Sequence, residues 1–284
     1  VIQYFEKNHI GRDWVVGDIH GMFSLLESTL NDIEFNPKYD RLFCTGDLID
    51  RGHESIRVLD FLRQPWFFSV RGNHDIMPIR ALRALLVNDE IPLLEWKAMG
   101  GEWFDDHSLT EVIEVAQALM DLPMLIEIKS ANGVIGITHG EPKIGLSWPQ
   151  IKVHLENGCH LTLLDILLGR HRMEALLGDY EQARELSKTR IDQWSIQGID
   201  HLILGHTVIP HWFRLGNIHY IDTGACHERG CLTLIDISHP GFLHHRGLSH
   251  HESLDYSGVF GVGDPSDLAF LNGQNSDVIH ATCV

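Results

Sequence analysis

Asp18 and His20 stand two residues apart in "GDIHG", and Asp47 opens "GDLIDRG" ahead of Asp50 and Arg51. Asn73 and His74 adjoin in "RGNHD", and two later apolar runs end in His139 and His206. An unpaired charge where a buried run ends is costly, and metal coordination removes that cost. Carboxylate together with imidazole suits divalent first-row ions. Asp18, His20 and Asp47 can serve one ion, and Asn73, His139 and His206 a second, with Asp47 bridging both. Ions about 3.5–4 Å apart can share a water and clamp two oxygens of one phosphoryl group. The mixed nitrogen and oxygen shell without thiolate points to Mn, Fe or Zn rather than Mg. His74, next to a proposed ligand, is placed to protonate a leaving oxygen, with Asp50 setting its tautomer. Arg51 offers the planar fork that matches phosphate oxygens.

The elements that must position these residues follow a repeated pattern. "RDWVVGDIHG", "DRLFCTGDLIDRG" and "WFFSVRGNHD" are each an apolar strand closing on a charged loop, and each is followed by a helical segment. In the helix after "RGNHD", Pro78 is expected in the first turn. Three strand-loop-helix units predict parallel strands with crossover helices and a ligand site beyond their carboxyl ends, as in an open doubly wound sheet. Residues 88–123 read as helical cover, with "TEVIEVAQALMDL" as the amphipathic piece. "MLIEIKSANGVIGITHG" reads as two strands about an Asn-Gly turn. Residues 141–200 read as mostly helical, with "LTLLDILLGRHRMEALL" and "YEQARELSKTRIDQW" as helices. "HLILGHT" is another buried strand, and "IPHWFRLGNIHYIDTG" and "GCLTLIDIS" are expected to close the fold as antiparallel strands. Beyond 240 periodicity is lost, and His239, His244, His245, His250 and His251 fall in a stretch read as a solvated tail.

With 284 residues, 44% of them apolar and 21% charged, the chain is expected to build one globular α/β core. A net charge of -17 repels a phosphodiester polyanion, so nucleic acid is excluded as a partner. Neither a membrane span nor a signal peptide is legible, so no membrane partner is expected. Five scattered cysteines read as free thiols in a reducing, cytoplasmic setting.

"GDIHG", "GDLIDRG" and "RGNHD", with the later "THGE" and "GHT", resemble the signature of the metal-dependent serine/threonine phosphoprotein phosphatases, in particular their small bacterial and bacteriophage branch. The resemblance spans roughly residues 12–237. It implies a calcineurin-like metallophosphoesterase fold, two mixed β-sheets in a sandwich flanked by helices, in place of the open sheet. It further implies two divalent ions, Mn²⁺ foremost, and direct attack of a metal-bridging hydroxide on a phosphomonoester without a phosphoenzyme. By motif position Asp18, His20, Asp47, Asn73, His139 and His206 take the metal-ligand roles. His74 is then the general acid, Asp50 its partner and Arg51 a phosphate contact. A second phosphate arginine is expected from "LLGRHRM", Arg170 or Arg172, with Arg170 favoured by its place after the apolar run.

The expected organisation is a catalytic domain over 1–240, a helical insert around 145–198 and an irregular extension over 241–284. The substrate expected is a phosphoserine, phosphothreonine or phosphotyrosine protein or peptide. A symmetrical dinucleoside tetraphosphate hydrolase is the alternative, disfavoured by the Asp50–Arg51 pair, and a catalytically silent phosphoprotein-binding module is a third. Asp75 where many protein phosphatases carry glutamate, "HGE" where related chains often read "HAD", and the 67-residue step from His139 to His206 depart from the pattern.

Overall fold

A computed structural model describes residues 1–178, 194–239 and 279–283. The chain enters through β1 (Ile2–Phe5), then the fully buried β2 (Asp13–Val16). Helix α1 (Phe23–Asp32) follows, burying Phe23, Leu26 and Leu30 at helical spacing. Strand β3 (Arg41–Cys44), α2 (Val58–Leu62), β4 (Phe67–Ser69) and α3 (Asn73–Leu85) complete the three expected units. Helical cover follows as α4 (Ile91–Trp96), a segment over Lys97–Gly101 that kinks at Gly100, and α5 (Leu109–Met120). Ser108 and Glu111 close a reciprocal capping box at the start of α5. The hairpin β5 (Leu125–Ser130) and β6 (Gly133–Thr138) leads to α6 (Trp148–Glu156), α7 (His160–Leu168) and α8 (His171–Gly178). Strands β7 (His201–Leu204), β8 (Phe213–Leu215), β9 (Ile218–Tyr220), β10 (Cys231–Asp236) and β11 (Ile279–Cys283) end the described chain.

These strands form two mixed sheets, one ordered β1-β5-β6-β7-β9-β8 and the other β11-β10-β2-β3-β4. Strands β2, β3 and β4 run parallel, as the repeated units predict, and β10 joins β2 antiparallel. Side chains alternate along each strand, so a single strand feeds two cores. Val15 and Phe43 pack between the sheets with Ile126, Ile137, Ile203 and Ile235. Trp14, Val16 and Leu42 face outward onto α1, α2 and α5, through Leu26, Phe61 and Val115. Leu202 and Leu204 face the opposite way onto Trp148, Ile151 and Ile166 of α6 and α7. The result is the helix-flanked sandwich that the resemblance implies, not an open doubly wound sheet. Among the described residues no helix is long and apolar enough to cross a membrane.

Several local expectations change. Helix α3 starts at Asn73, so Pro78 falls in its second turn, where its missing N–H leaves the His74 carbonyl without its helical donor. "LTLLDILLGRHRMEALL" divides into α7 and α8 at Gly169, which has an extended backbone and packs closely against Glu141 and Asp165. "YEQARELSKTRIDQW" lies almost wholly outside the described residues, as do residues 240–278 with four of the five tail histidines. The extension is not irregular throughout, because β11 pairs antiparallel with β10. Cys44, Cys159 and Cys226 are free thiols, but Cys231 is disulfide-bonded, against the expectation of free thiols throughout.

Candidate active site

All six residues proposed as metal ligands lie beyond strand C-termini at one edge of the sandwich. Asp18 and His20 follow β2, Asp47 follows β3 and Asn73 follows β4, whereas His139 and His206 arrive from β6 and β7 of the other sheet. Backbone geometry here is unusual: His20, Asp47, Asp50, Arg51 and His206 have φ of 45°, 47°, 74°, 68° and 64°. Such left-handed conformations cost of order 1–3 kcal/mol each in a non-glycine residue. Helix α3 aims its N-terminus at Asp47, with the His74 N–H donating to Asp47 Oδ1 at 2.9 Å. Gly72 permits that approach, because a Cβ there would overlap Asp47 Oδ1 and its backbone nitrogen.

Backbone carbonyls orient the imidazoles. His20 Nδ1 is held by Ile49 O at 3.0 Å and His139 Nδ1 by Thr45 O at 2.9 Å, so each presents Nε2 inward. Asp47 Oδ2 lies 3.5 Å from His20 Nε2, and Asp47 Oδ1 lies 3.3 Å from His139 Nε2, which Asn73 Oδ1 approaches to 2.9 Å. Two groups of converging donors result, His20–Asp47–His74 and Asp47–His139–His206, with Asp47 in both. Asp18 stands outside these groups of three. Its Oδ1 accepts from Thr45 Oγ1 at 2.8 Å and its Oδ2 from the His206 N–H at 2.9 Å.

The electrostatics favour a bound cation. Burial, then the neighbouring Asp222 and Asp47 carboxylates, raise the Asp18 carboxyl well above the usual range. Burial disfavours a charged His139, but Asp47 and Asp18 outweigh it and push the imidazole up to about 10. Burial and adjoining cationic groups lower His20 and His206 to about 3. The protein alone thus balances its clustered carboxylates with a proton on His139. Carboxylate, amide oxygen and backbone-oriented imidazole make a donor set that fits two divalent first-row ions.

Beside these groups, His74 Nδ1 donates to Asp50 Oδ2 at 2.9 Å, with both side chains fully buried. Arg51 donates from one guanidinium nitrogen to His20 Nε2 at 2.9 Å and from the other to His74 Nε2 at 3.0 Å. Arg170 reaches the rim, donating to the His206 carbonyl at 3.1 Å. Arg172 does not reach it: the side chain is buried and donates to the Trp194 and Pro142 carbonyls. The two motif departures have structural explanations. Asp75 accepts the Gly72 and Leu48 N–H groups at 2.8 and 2.9 Å, tying the start of α3 to the Asp47 loop. Glu141 accepts the Arg172 and Met173 N–H groups at the start of α8 and the Tyr220 hydroxyl.

Sequence reasoning missed four neighbours. Trp96 and Trp103 both donate to Asp50, Thr45 holds Asp18 and His139, and Asp222 adds a buried carboxylate beside Asp18. Asp222 follows β9, so the strand-end rule that selected the candidate ligands could have found it.

The calcineurin-like phosphoesterase family model matches residues 12–210. The chain is 34% identical over 227 residues to serine/threonine-protein phosphatase 2 of Escherichia coli K12, covering 78% of this chain and 92% of that one. It is also 34% identical over 242 residues to serine/threonine-protein phosphatase 1 of Salmonella typhimurium LT2, covering 84% and 97%. Among solved structures, a candidate diadenosine tetraphosphatase superposes with a TM-score of 0.53 at 18% identity, over 82% of this chain and 92% of that one, a likeness of fold. With its sandwich, its converging donor groups and these relatives, the chain belongs to the calcineurin-like phosphoesterases, as a metal-dependent member related to bacterial serine/threonine phosphatases.

Proposed function

We propose that this chain hydrolyses phosphoserine and phosphothreonine monoesters in proteins, with phosphotyrosine also within reach. The observation that carries the reading is the buried His74–Asp50 pair, bridged through Arg51 to the donor groups that share Asp47. The relatives named as protein phosphatases support it, since they match this chain over nearly their whole length.

In this reading Asp18, His20 and Asp47 would hold one divalent ion and Asp47, Asn73, His139 and His206 the other, with Mn²⁺ first and Fe or Zn as alternatives. Bound there, the ions supply an activated water and neutralise charge on the phosphoryl group. Arg51 and Arg170 grip phosphoryl oxygens. Were His20 Nε2 to hold an ion, its lone pair would no longer accept from the Arg51 guanidinium, leaving that donor for substrate. Once Arg51 turns onto the phosphoryl group it no longer donates to His74 Nε2, which can then carry a second proton; as the bond from phosphorus to the seryl or threonyl oxygen breaks, that oxygen takes it. Asp50 meanwhile keeps Nδ1–H in place, and general acid help of this kind is worth about 10²- to 10⁴-fold. The catalytic unit is residues 1–240, with the insert around 145–198 shaping the rim. The net charge of -17 favours basic or neutral phosphosites over acidic ones.

The test is kcat/KM with Mn²⁺ on a phosphothreonine peptide, a phosphotyrosine peptide and diadenosine tetraphosphate, with His74→Asn in parallel. Peptide turnover that collapses in the variant supports the reading. Faster, His74-dependent cleavage of the dinucleotide replaces it with dinucleoside tetraphosphate hydrolysis, and no turnover of any substrate leaves a binding module.

A further inference from the structure

We infer that Trp96 and Trp103 are positioning residues for leaving-group protonation, acting on His74 through Asp50. The inference rests on the assignment of His74 as the acid. Asp50 has no solvent exposure, and the one ion pair it makes among the described residues is with His74. Its remaining hydrogen-bonding capacity goes to the two indoles. Trp96 Nε1 forks across the carboxylate, 2.9 Å from Oδ1 and 3.0 Å from Oδ2, and Trp103 Nε1 lies 2.8 Å from Oδ1.

A buried carboxylate needs donors to replace lost water, and the identity of those donors decides what it can do next. A lysine or arginine would neutralise it. An indole carries one N–H and no charge, so two of them solvate Asp50 while leaving its negative charge to act on the imidazole. They also set its orientation: Trp103 holds Oδ1 alone and Trp96 spans both oxygens, which leaves Oδ2 facing His74 Nδ1. The rings cannot readily turn away. Trp96 and Trp103 are 1% and 6% exposed and meet edge to face at 5.5 Å, and Phe104 packs on Trp96 at 5.7 Å.

The chain between the indoles reaches the other phosphate-facing residue too. Gly100 O accepts the Arg51 N–H at 2.9 Å, and a Cβ on Gly100, whose φ is +110°, would run into Arg51. A Cβ on Gly101 would run into the Trp96 ring. Both contacts lie in the segment Lys97–Gly101, where the helical path kinks at Gly100. One segment, 96–103, therefore orients the partner of the acid and the backbone of the phosphate-gripping arginine.

The competing explanation is that each buried indole simply found a polar partner. Substrate dependence separates the two. Trp96→Phe and Trp103→Phe keep an aromatic ring and delete the N–H. With Mn²⁺-loaded enzyme, kcat is compared on a phosphothreonine peptide, whose alkoxide needs a proton to leave, and on p-nitrophenyl phosphate, whose phenolate leaves without one. The expected result is a kcat loss on the peptide of about 10- to 100-fold, part of the general-acid effect. KM should stay within about threefold, and the peptide loss should exceed the aryl phosphate loss by about tenfold or more. Equal losses on both substrates, or none on either, overturn the inference. His74→Asn in the same assays tests the assignment beneath it. Selective loss in His74→Asn but not in the tryptophan variants removes the indole role alone, whereas no selective loss in His74→Asn removes the acid assignment. Where a Phe variant does not fold, ¹⁵N-tryptophan spectra of the wild-type enzyme and of His74→Asn, both loaded with diamagnetic Zn²⁺, decide. The Trp96 and Trp103 indole signals should move between the two, and unmoved signals overturn the inference.

Discussion

Adding Mn²⁺ to metal-free protein should release protons, and the structure says how many. Asp47 and Asp18 raise the His139 imidazole to about 10, so near pH 7.5 it is essentially fully protonated. Its Nδ1 is committed to the Thr45 carbonyl, and Nε2 is the nitrogen that faces Asp47 and Asn73. A metal ion needs that Nε2 lone pair, so binding must expel the proton. Because the carboxylates share in the titration, the proton belongs to the Asp18–Asp47–His139 cluster as a whole. The sign follows from the raised value. The proton stabilises the metal-free fold fully below the ordinary histidine value of 6.5, and that contribution is lost as pH rises through about 10. Metal affinity should therefore strengthen with pH, by about tenfold per unit between roughly pH 7 and 9. Calorimetric titration at pH 7.5 in two buffers of different ionisation enthalpy measures the release directly. About one proton for the ion at His139 is expected, and less in His139→Asn. Heats that do not depend on the buffer, together with an affinity flat from pH 6.5 to 8.5, would refute the reasoning.

Asp47→Asn should lose both ions, because Asp47 belongs to both donor groups. Mass spectrometry under native conditions should find less than one bound metal per chain, and kcat/KM should fall by more than the roughly 100-fold typical of an outer-shell partner. Gly72→Ala should lower stability by about 1–3 kcal/mol and weaken Mn²⁺ binding, since the new methyl group forces Asp47 away from the start of α3; an unchanged melting point and Mn²⁺ titration would show that the close approach is dispensable. Arg41→Met strands the buried Asp13 carboxylate, which Arg41 grips through two hydrogen bonds of 2.7 Å. A loss of roughly 2–3 kcal/mol in urea unfolding is expected, less than for a fully buried pair because Arg41 is partly exposed.

The chemistry was legible in the sequence because it sits where a simple rule applies. An apolar run ending in Asp, Asn or His marks a candidate ligand position, and that rule reached Asp18, Asp47, Asn73, His139 and His206, which the fold brings to one edge. The division into two sheets was not legible from the residues, because the pairing of β1 with β5 and of β6 with β7 joins distant segments whose buried patterns suit any sheet. The resemblance supplied the sandwich instead. Trp96 and Trp103 escaped because a tryptophan in helical cover reads as core, and their partner Asp50 lies 46 and 53 residues away. Pro78 misled for a local reason: the first helical residue is the ligand Asn73, so the helix begins earlier than a proline-led start suggests.

The two sheets divide the donors between them, with Asp18, His20, Asp47 and Asn73 on one and His139 and His206 on the other. Bound metal would then act as a clasp across the seam of the sandwich. Sliding one layer by even part of a residue would pull the clasp open, so occupancy of the centre and registration of the layers become a single quantity. Ile137, Ile203 and Val15, which fill the seam, then become adjusters of metal affinity through packing. Loading the centre should in turn raise the force needed to part the layers, making the protein mechanically stiffer at the edge where it works.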